Sequence, residues 1–70
     1  MKYIQNKNKS MKAVENKEGV SIEEILRLKF VEENKTVVTI ASELGISYAT
    51  VIKWLKLAGV YSRKLKTILN

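Results

Sequence analysis

The stretch TVVTIASELGISYATVIKWL, from Thr36 to Leu55, decides the fold of this chain. It places a small residue, Ala41, four positions before Gly45, and it places Ser47 two positions after that glycine. A glycine tolerates the positive φ that a tight turn requires. A serine hydroxyl accepts a hydrogen bond from a free backbone N–H at the start of a helix. The spacing therefore predicts two short helices joined by a turn.

The apolar residues after the glycine complete this pattern. Ile46 is placed to fill the corner between the two helices, and Val51 and Trp54 lie three positions apart, on one helix face. We expect the first helix to run from Thr36 or Val37 to residue 44. The second should cover residues 48–58 and end at residue 59, a glycine.

The start of the first of these helices is ambiguous in the sequence. The residues from Val37 to Ile40 are all β-branched, which by itself favours a strand. The run continues into helix-forming residues, and Ile40 and Leu44 form an apolar i, i+4 pair. We therefore predict a helix and keep the strand as the alternative.

An earlier helix is predicted over residues 22–33. Ser21 and Glu24 have the spacing of a capping box, in which the glutamate carboxylate reaches back to the serine N–H. Asn34, a residue that accepts left-handed geometry, marks the expected end of the helix.

The length of 70 residues allows one domain with a small core. We predict an all-α fold, a small three- to four-helix bundle that contains the helix-turn-helix over residues 20–60. Residues 1–19 form a basic tail in this interpretation, with a short helix over 10–17 that docks Met11 and Val14 as the alternative. Residues 61–70 form a basic and apolar segment that is long enough for a fourth short helix, capped by Ser62.

The composition argues against an enzyme and against a metal site. The chain has no cysteine and no histidine, and all seven of its acidic residues are glutamates. The usual ligands and bases of metal and acid–base chemistry are therefore missing, and we expect no catalytic residue, no metal and no cofactor. We interpret Glu23, Glu24, Glu32 and Glu33 as helix caps, dipole partners or solvated surface.

Nothing in the sequence indicates a membrane protein or a secreted one. The N-terminal segment carries charge without an apolar run, and no stretch approaches the length of a membrane span. We expect a cytoplasmic protein.

Charge is unevenly distributed along the chain, whose net charge is +6. Residues 1–20 carry +3, residues 21–46 carry −2, and residues 47–70 carry +5 with no acidic residue. The basic excess begins where the second helix of the pair begins. This asymmetry is typical of a protein that turns one face towards phosphates, although a generally basic surface is the plainer interpretation.

The pattern Ala41-x3-Gly45-Ile46-Ser47-x3-Val51-x2-Trp54 resembles the helix-turn-helix domains of bacterial and phage DNA-binding proteins. The run from Gly45 to Val51 is similar to the recognition segment of lactose-repressor-type regulators. The run from Trp54 to Val60 is similar to resolvase, transposase and small phage modules. The resemblance covers about residues 21–60. The resemblance does not name one family, because the lactose-repressor type continues into a hinge and a sugar-binding domain.

This resemblance implies that Ser47 and Thr50 contact phosphates and that Tyr48, Ala49 and Lys53 face base edges. The helical spacing independently places Tyr48, Ala49, Lys53 and Lys56 on the outer surface of the second helix. The full set of candidate DNA-binding residues is Ser47, Tyr48, Ala49, Thr50, Lys53, Lys56, Arg63 and Lys64.

Other residues near this set have alternative roles. Ile52 departs from the pattern because it is apolar, and it either meets a thymine methyl group or packs on another segment. The N-terminal lysines Lys2, Lys7, Lys9 and Lys12 form either a DNA-contacting arm or a disordered tail.

We expect a sequence-preferring, double-stranded DNA-binding protein, a small transcriptional regulator of a phage, a plasmid or another mobile element. We also expect a homodimer, with Leu65, Ile68 and Leu69 or the N-terminal segment at its interface. Two alternatives stay open: a DNA-binding accessory factor for recombination, packaging or replication, and a helix-turn-helix module for protein–protein docking. No small-molecule ligand is evident.

Overall fold

Four α-helices make up the fold in the computed structural model, which describes residues 4–61. They are α1 (Lys9–Glu18), α2 (Ile22–Leu26), α3 (Val37–Leu44) and α4 (Tyr48–Leu57), and α2 continues directly into a π-helical segment, Arg27–Glu32. Within residues 4–61 there is no β-strand. The all-α prediction is therefore confirmed, and the β-branched run that opens α3 is helical.

A polar side chain caps the start of each α-helix. The side chains of Asn8, Ser21, Thr36 and Ser47 accept a hydrogen bond from the backbone N–H three residues further on. Each cap satisfies one of the N–H groups that a helix start leaves free. The cap at Thr36 helps to explain why the β-branched residues that follow it begin a helix.

The predicted helix over 22–33 is present as α2 and its π-helical continuation, and Asn34 has the expected positive φ of 53°. The second half of this helix is π-helical. The N–H of Glu33 donates to the carbonyl of Leu28 at 2.8 Å, five residues back. Within this segment Phe30 is buried, and the Arg27 guanidinium donates to the carboxylate of Glu32, five residues on, at 3.1 Å.

The capping box at the start of α2 forms only in part. The Ser21 hydroxyl accepts from the Glu24 N–H at 3.3 Å, as predicted. The Glu24 carboxylate accepts from the Arg27 guanidinium, one turn further on. A nearby cation thus engages the carboxylate that the sequence pattern assigned to the serine N–H.

The core joins all four helices. Trp54 is 1% exposed and lies with Val51 and Leu55 on the inner face of α4. The other buried apolar residues are Met11, Val14, Ile22, Ile25, Leu26, Phe30, Ile40, Ala41, Leu44, Ala58 and Val60. Burying an indole of this size is one of the larger stabilising contributions available to so small a domain.

The N-terminal segment is attached to this core. Helix α1 extends the expected span of 10–17 by one residue at each end and buries Met11 and Val14, and Ile4 packs against the same core. Lys7 donates to the carboxylates of Glu15 at 2.6 Å and Glu23 at 2.9 Å. Lys7 is therefore held in the domain and does not belong to a free arm.

Glu23 is buried, so the alternative that it is solvated surface was wrong, while its place in the first turn of α2 is the one expected of a dipole partner. Its side chain has no exposed surface, and its second oxygen accepts from the backbone N–H of Ile4 at 2.7 Å. Burial raises the pKa of Glu23, but the hydrogen bonds from Ile4 and Lys7 outweigh burial and leave the pKa below its ordinary value. The buried carboxylate is thus charged and fully bonded.

Beyond α4, Gly59 has a φ of 71°, and Val60 and Tyr61 are helical again. The Tyr61 ring stacks on Phe30, with centroids 5.7 Å apart. The expected cap at Ser62 and the expected fourth helix behind it lie outside the described residues.

Candidate functional site

The turn between α3 and α4 follows the geometry that the sequence predicts. Gly45 has a φ of 70°, its N–H donates to the carbonyl of Ala41, and the Ile46 N–H donates to the same carbonyl at 3.0 Å. A Cβ added at Gly45 would meet nothing within 4 Å. Glycine is thus favoured here by the backbone conformation and not by a lack of space.

The first turn of α4 is held by two hydroxyl groups. Ser47 accepts from the Thr50 N–H at 3.2 Å, and the two side-chain oxygens lie 2.7 Å apart. Ser47 is exposed and Thr50 is half-buried. Of the two expected phosphate-contacting residues, Ser47 therefore acts first as the helix cap, and the Thr50 hydroxyl is hydrogen-bonded to it.

The outer face of α4 collects the other candidate residues of this helix. At about 100° per residue, Ala49, Lys53 and Lys56 lie opposite the buried face. All three are exposed, and Tyr48 at one flank is 53% exposed. The helix thus presents a methyl group and two ammonium groups on its outer face, with a phenol at the flank.

Two apolar residues of α4 adjoin these side chains: Ile52 lies between Tyr48 and Lys56 in helical spacing, and Leu57 lies beside Lys53. Ile52 is half-buried. Leu57 is 45% exposed, and the sequence interpretation did not single it out. Its exposure could have been predicted from the sequence, because residue 57 does not share the helix face of the buried residues Val51 and Trp54.

The basic side chains of the π-helical segment and of the loop before α3 are paired with nearby glutamates. Arg27 pairs with Glu24 and Glu32, Lys29 with Glu43, and Lys35 with Glu33 and Glu43. The hydrogen bond to Glu43 raises the pKa of Lys35, and the bonds from Lys29 and Lys35 lower the pKa of Glu43.

The two lysines of α4, unlike the basic residues described above, have no acidic partner among residues 4–61. Lys53 and Lys56 are both exposed. Their charge is therefore available to an external anion. Arg63 and Lys64, the remaining candidates, lie outside the described residues, as do the expected interface residues Leu65, Ile68 and Leu69.

In the part of the chain from residue 4 to residue 61, no three His, Cys, Asp or Glu residues are grouped so that they could hold a metal ion. No helix in that same part is long and apolar enough to cross a membrane. Comparison of the chain with protein-family models, with curated proteins and with solved structures finds no match.

Proposed function

We propose that this protein binds double-stranded DNA with sequence preference, through the outer face of α4, and that it acts as a small transcriptional regulator. The observation that carries the proposal is the exposed surface of Tyr48, Ala49, Lys53 and Lys56, which no acidic residue interrupts and whose lysines lack internal partners among residues 4–61. An α-helix fits the major groove of B-DNA, and unpaired lysines supply the phosphate attraction that dominates affinity.

The local structure supports a rigid presentation of this face. The hydroxyl cap at Ser47, the glycine turn and the buried Trp54 fix both the start and the inner side of α4. A helix held in this way enters a groove without an ordering cost of its own, and preorganisation of this kind favours binding.

The side chains on the outer face of α4 also limit how specifically it can recognise DNA bases. Helix α4 has no Asn, Gln, Arg or Glu, the residues that most often form paired hydrogen bonds to bases. Lys53 and Tyr48 are left for hydrogen bonds, and the methyl group of Ala49 suits contact with a thymine methyl. We therefore expect modest specificity for each copy and propose that two copies bind half-sites about one helical turn apart. Such a regulator would act in the cytoplasm.

The test begins with the selection of a preferred DNA site from a pool of random duplexes. Labelled duplexes with this site are then titrated with the protein at several salt concentrations, and binding is followed by fluorescence. The double variant Lys53→Gln/Lys56→Gln removes the two free charges of α4. We expect the slope of log K against log salt to fall by about 1.8, which is about 0.9 for each phosphate that is no longer neutralised. Tyr48→Ala should weaken binding to the selected site more than binding to random duplex.

A matched control is the double variant Lys29→Gln/Lys35→Gln. It changes the net charge by the same amount but removes lysines that are already paired with glutamates. Equal effects of the two double variants would mean that only net charge matters and that the assigned face is wrong. A reporter fused to a promoter with the selected site then tests regulation, because an accessory factor need not change its transcription.

A further inference from the structure

Helix α1 presents a second basic face. Met11 and Val14 occupy its inner side, and Glu15 turns inward, where it accepts from Lys7 and from the Ile22 N–H at 2.7 Å. The side chains on the outer part of the helix are exposed; they include Lys9, Lys12, Asn16 and Lys17. No carboxylate lies between these lysines on the outer side.

Ion pairing separates the basic residues of the described chain into two groups. The paired ones are Lys7, Arg27, Lys29 and Lys35. The ones that pair with no residue between 4 and 61 are Lys9, Lys12, Lys17, Lys53 and Lys56. All five free lysines lie on α1 and α4, so the unpaired charge of residues 4–61 is confined to two of the four helices.

Lys9 and Lys12, near the start of α1, form no ion pair with any residue between 4 and 61. Lys9 and Lys12 are three positions apart, a spacing at which like charges weaken a helix slightly. The residues four positions after them are Ala13 and Asn16, which cannot neutralise them. An external polyanion would relieve this repulsion.

We propose that the outer face of α1 is a second DNA-contacting surface, which binds the sugar-phosphate backbone of the duplex that α4 occupies. This inference rests on the proposed function. Lysine carries a compact charge on a flexible stem, and this suits contacts with phosphates. The domain measures 35 Å in its longest direction, about one turn of B-DNA, so a duplex of little more than one turn is long enough to reach both helices.

A membrane surface is the other extended polyanion, and α1 fits it less well. Helices that lie on membranes insert an apolar face among the lipids. The apolar residues of α1, Met11 and Val14, are buried in the protein core. The face that remains is polar, which favours nucleic acid over lipid.

The experiment compares Lys9→Gln/Lys12→Gln with the control Lys29→Gln/Lys35→Gln, both in the full chain. Glutamine keeps the helix propensity of lysine, and Lys9 and Lys12 are exposed, so α1 should stay folded by circular dichroism. We expect the α1 variant to reduce the salt slope by about 1.8, and the control to leave it unchanged. The loss of affinity should be equal for the selected site and for random duplex, because phosphate contacts carry no sequence information.

An unchanged slope in the α1 variant, with the wild-type chain still bound to duplex, would overturn this inference alone. Absence of wild-type binding at low salt would overturn the proposed function together with it. Wild-type binding to anionic phosphatidylglycerol vesicles that is stronger than duplex binding and is lost in the α1 variant would instead assign the surface to lipid.

Discussion

The substitution Glu23→Gln tests whether the buried carboxylate ties the N-terminal segment to the core. In the wild-type chain, one carboxylate oxygen accepts from the Ile4 N–H at 2.7 Å and the other accepts from Lys7 at 2.9 Å. An amide of the same shape offers one acceptor oxygen and one NH₂ group. One of the two donors then faces another donor in a site with no exposed surface.

The expected cost follows from these contacts. A hydrogen bond to a charged group contributes about 1.5–3 kcal/mol, and the variant loses one such bond outright. The second bond weakens because its acceptor is now neutral, but Lys7 keeps Glu15 as a partner at 2.6 Å. We therefore expect a destabilisation of about 2–3 kcal/mol. A domain of 70 residues has a total stability of about 3.5–10 kcal/mol, so the effect is a large fraction of it.

The assay is urea unfolding followed by the fluorescence of Trp54, the single tryptophan, which is buried. The matched control is Glu18→Gln, which removes the same charge from an exposed side chain on α1 and should change the free energy of unfolding by less than about 0.5 kcal/mol. Amide hydrogen exchange of Ile4 reports the segment itself and should accelerate only in the Glu23 variant. Equal stabilities for the two variants, with Ile4 equally protected, would refute the reasoning.

Two further predictions concern acid stability and the turn. The pKa values of Glu15 and Glu23 lie below the ordinary 4.5, so their contribution to stability is complete above that pH and is lost as the pH falls through the lowered values. The urea midpoint should therefore drop on acidification from neutral pH to about pH 3, and it should drop less in Glu23→Gln; equal drops would contradict the assignment. Gly45→Ala should cost about 1 kcal/mol in the same urea assay, because an L-residue is strained at a φ of 70°. Gly45→Asn should cost less, since asparagine tolerates this conformation, and the opposite order would show that the backbone is not the constraint.

The sequence predicted the α3–α4 unit well because its determinants are local. A glycine, a cap and an apolar spacing of three and four act within a few residues of one another, and their consequences follow from helix geometry. The exposure of Tyr48, Ala49, Lys53 and Lys56 also follows, once Trp54 and Val51 are assigned to the core. Whether these residues contact DNA stays a prediction.

The parts that the sequence did not predict depend on contacts between distant residues. Lys7 meets Glu15 and Glu23 across separations of 8 and 16 residues, and no local pattern marks a glutamate as buried. The π-helical turn is a second feature that no local sequence pattern marks. Its hydrogen bond from Glu33 to Leu28 shifts the helix by one residue, and that shift depends on how Phe30 packs in the finished core.

The same ion pairs that stabilise the scaffold also give the molecule an electrostatic direction. The four paired cations face six carboxylates, so the paired group carries a net charge of −2. The five free lysines on α1 and α4, with exposed Glu18 as the unpaired acid of residues 4–61, carry +4. At about 0.1 M salt the Debye length is about 10 Å, so a polyanion close to the outer face of α1 or α4 is influenced mainly by the free lysines nearest to it. An approaching polyanion is attracted to α1 and α4 and repelled by the paired carboxylates, which orients the protein before any base is touched.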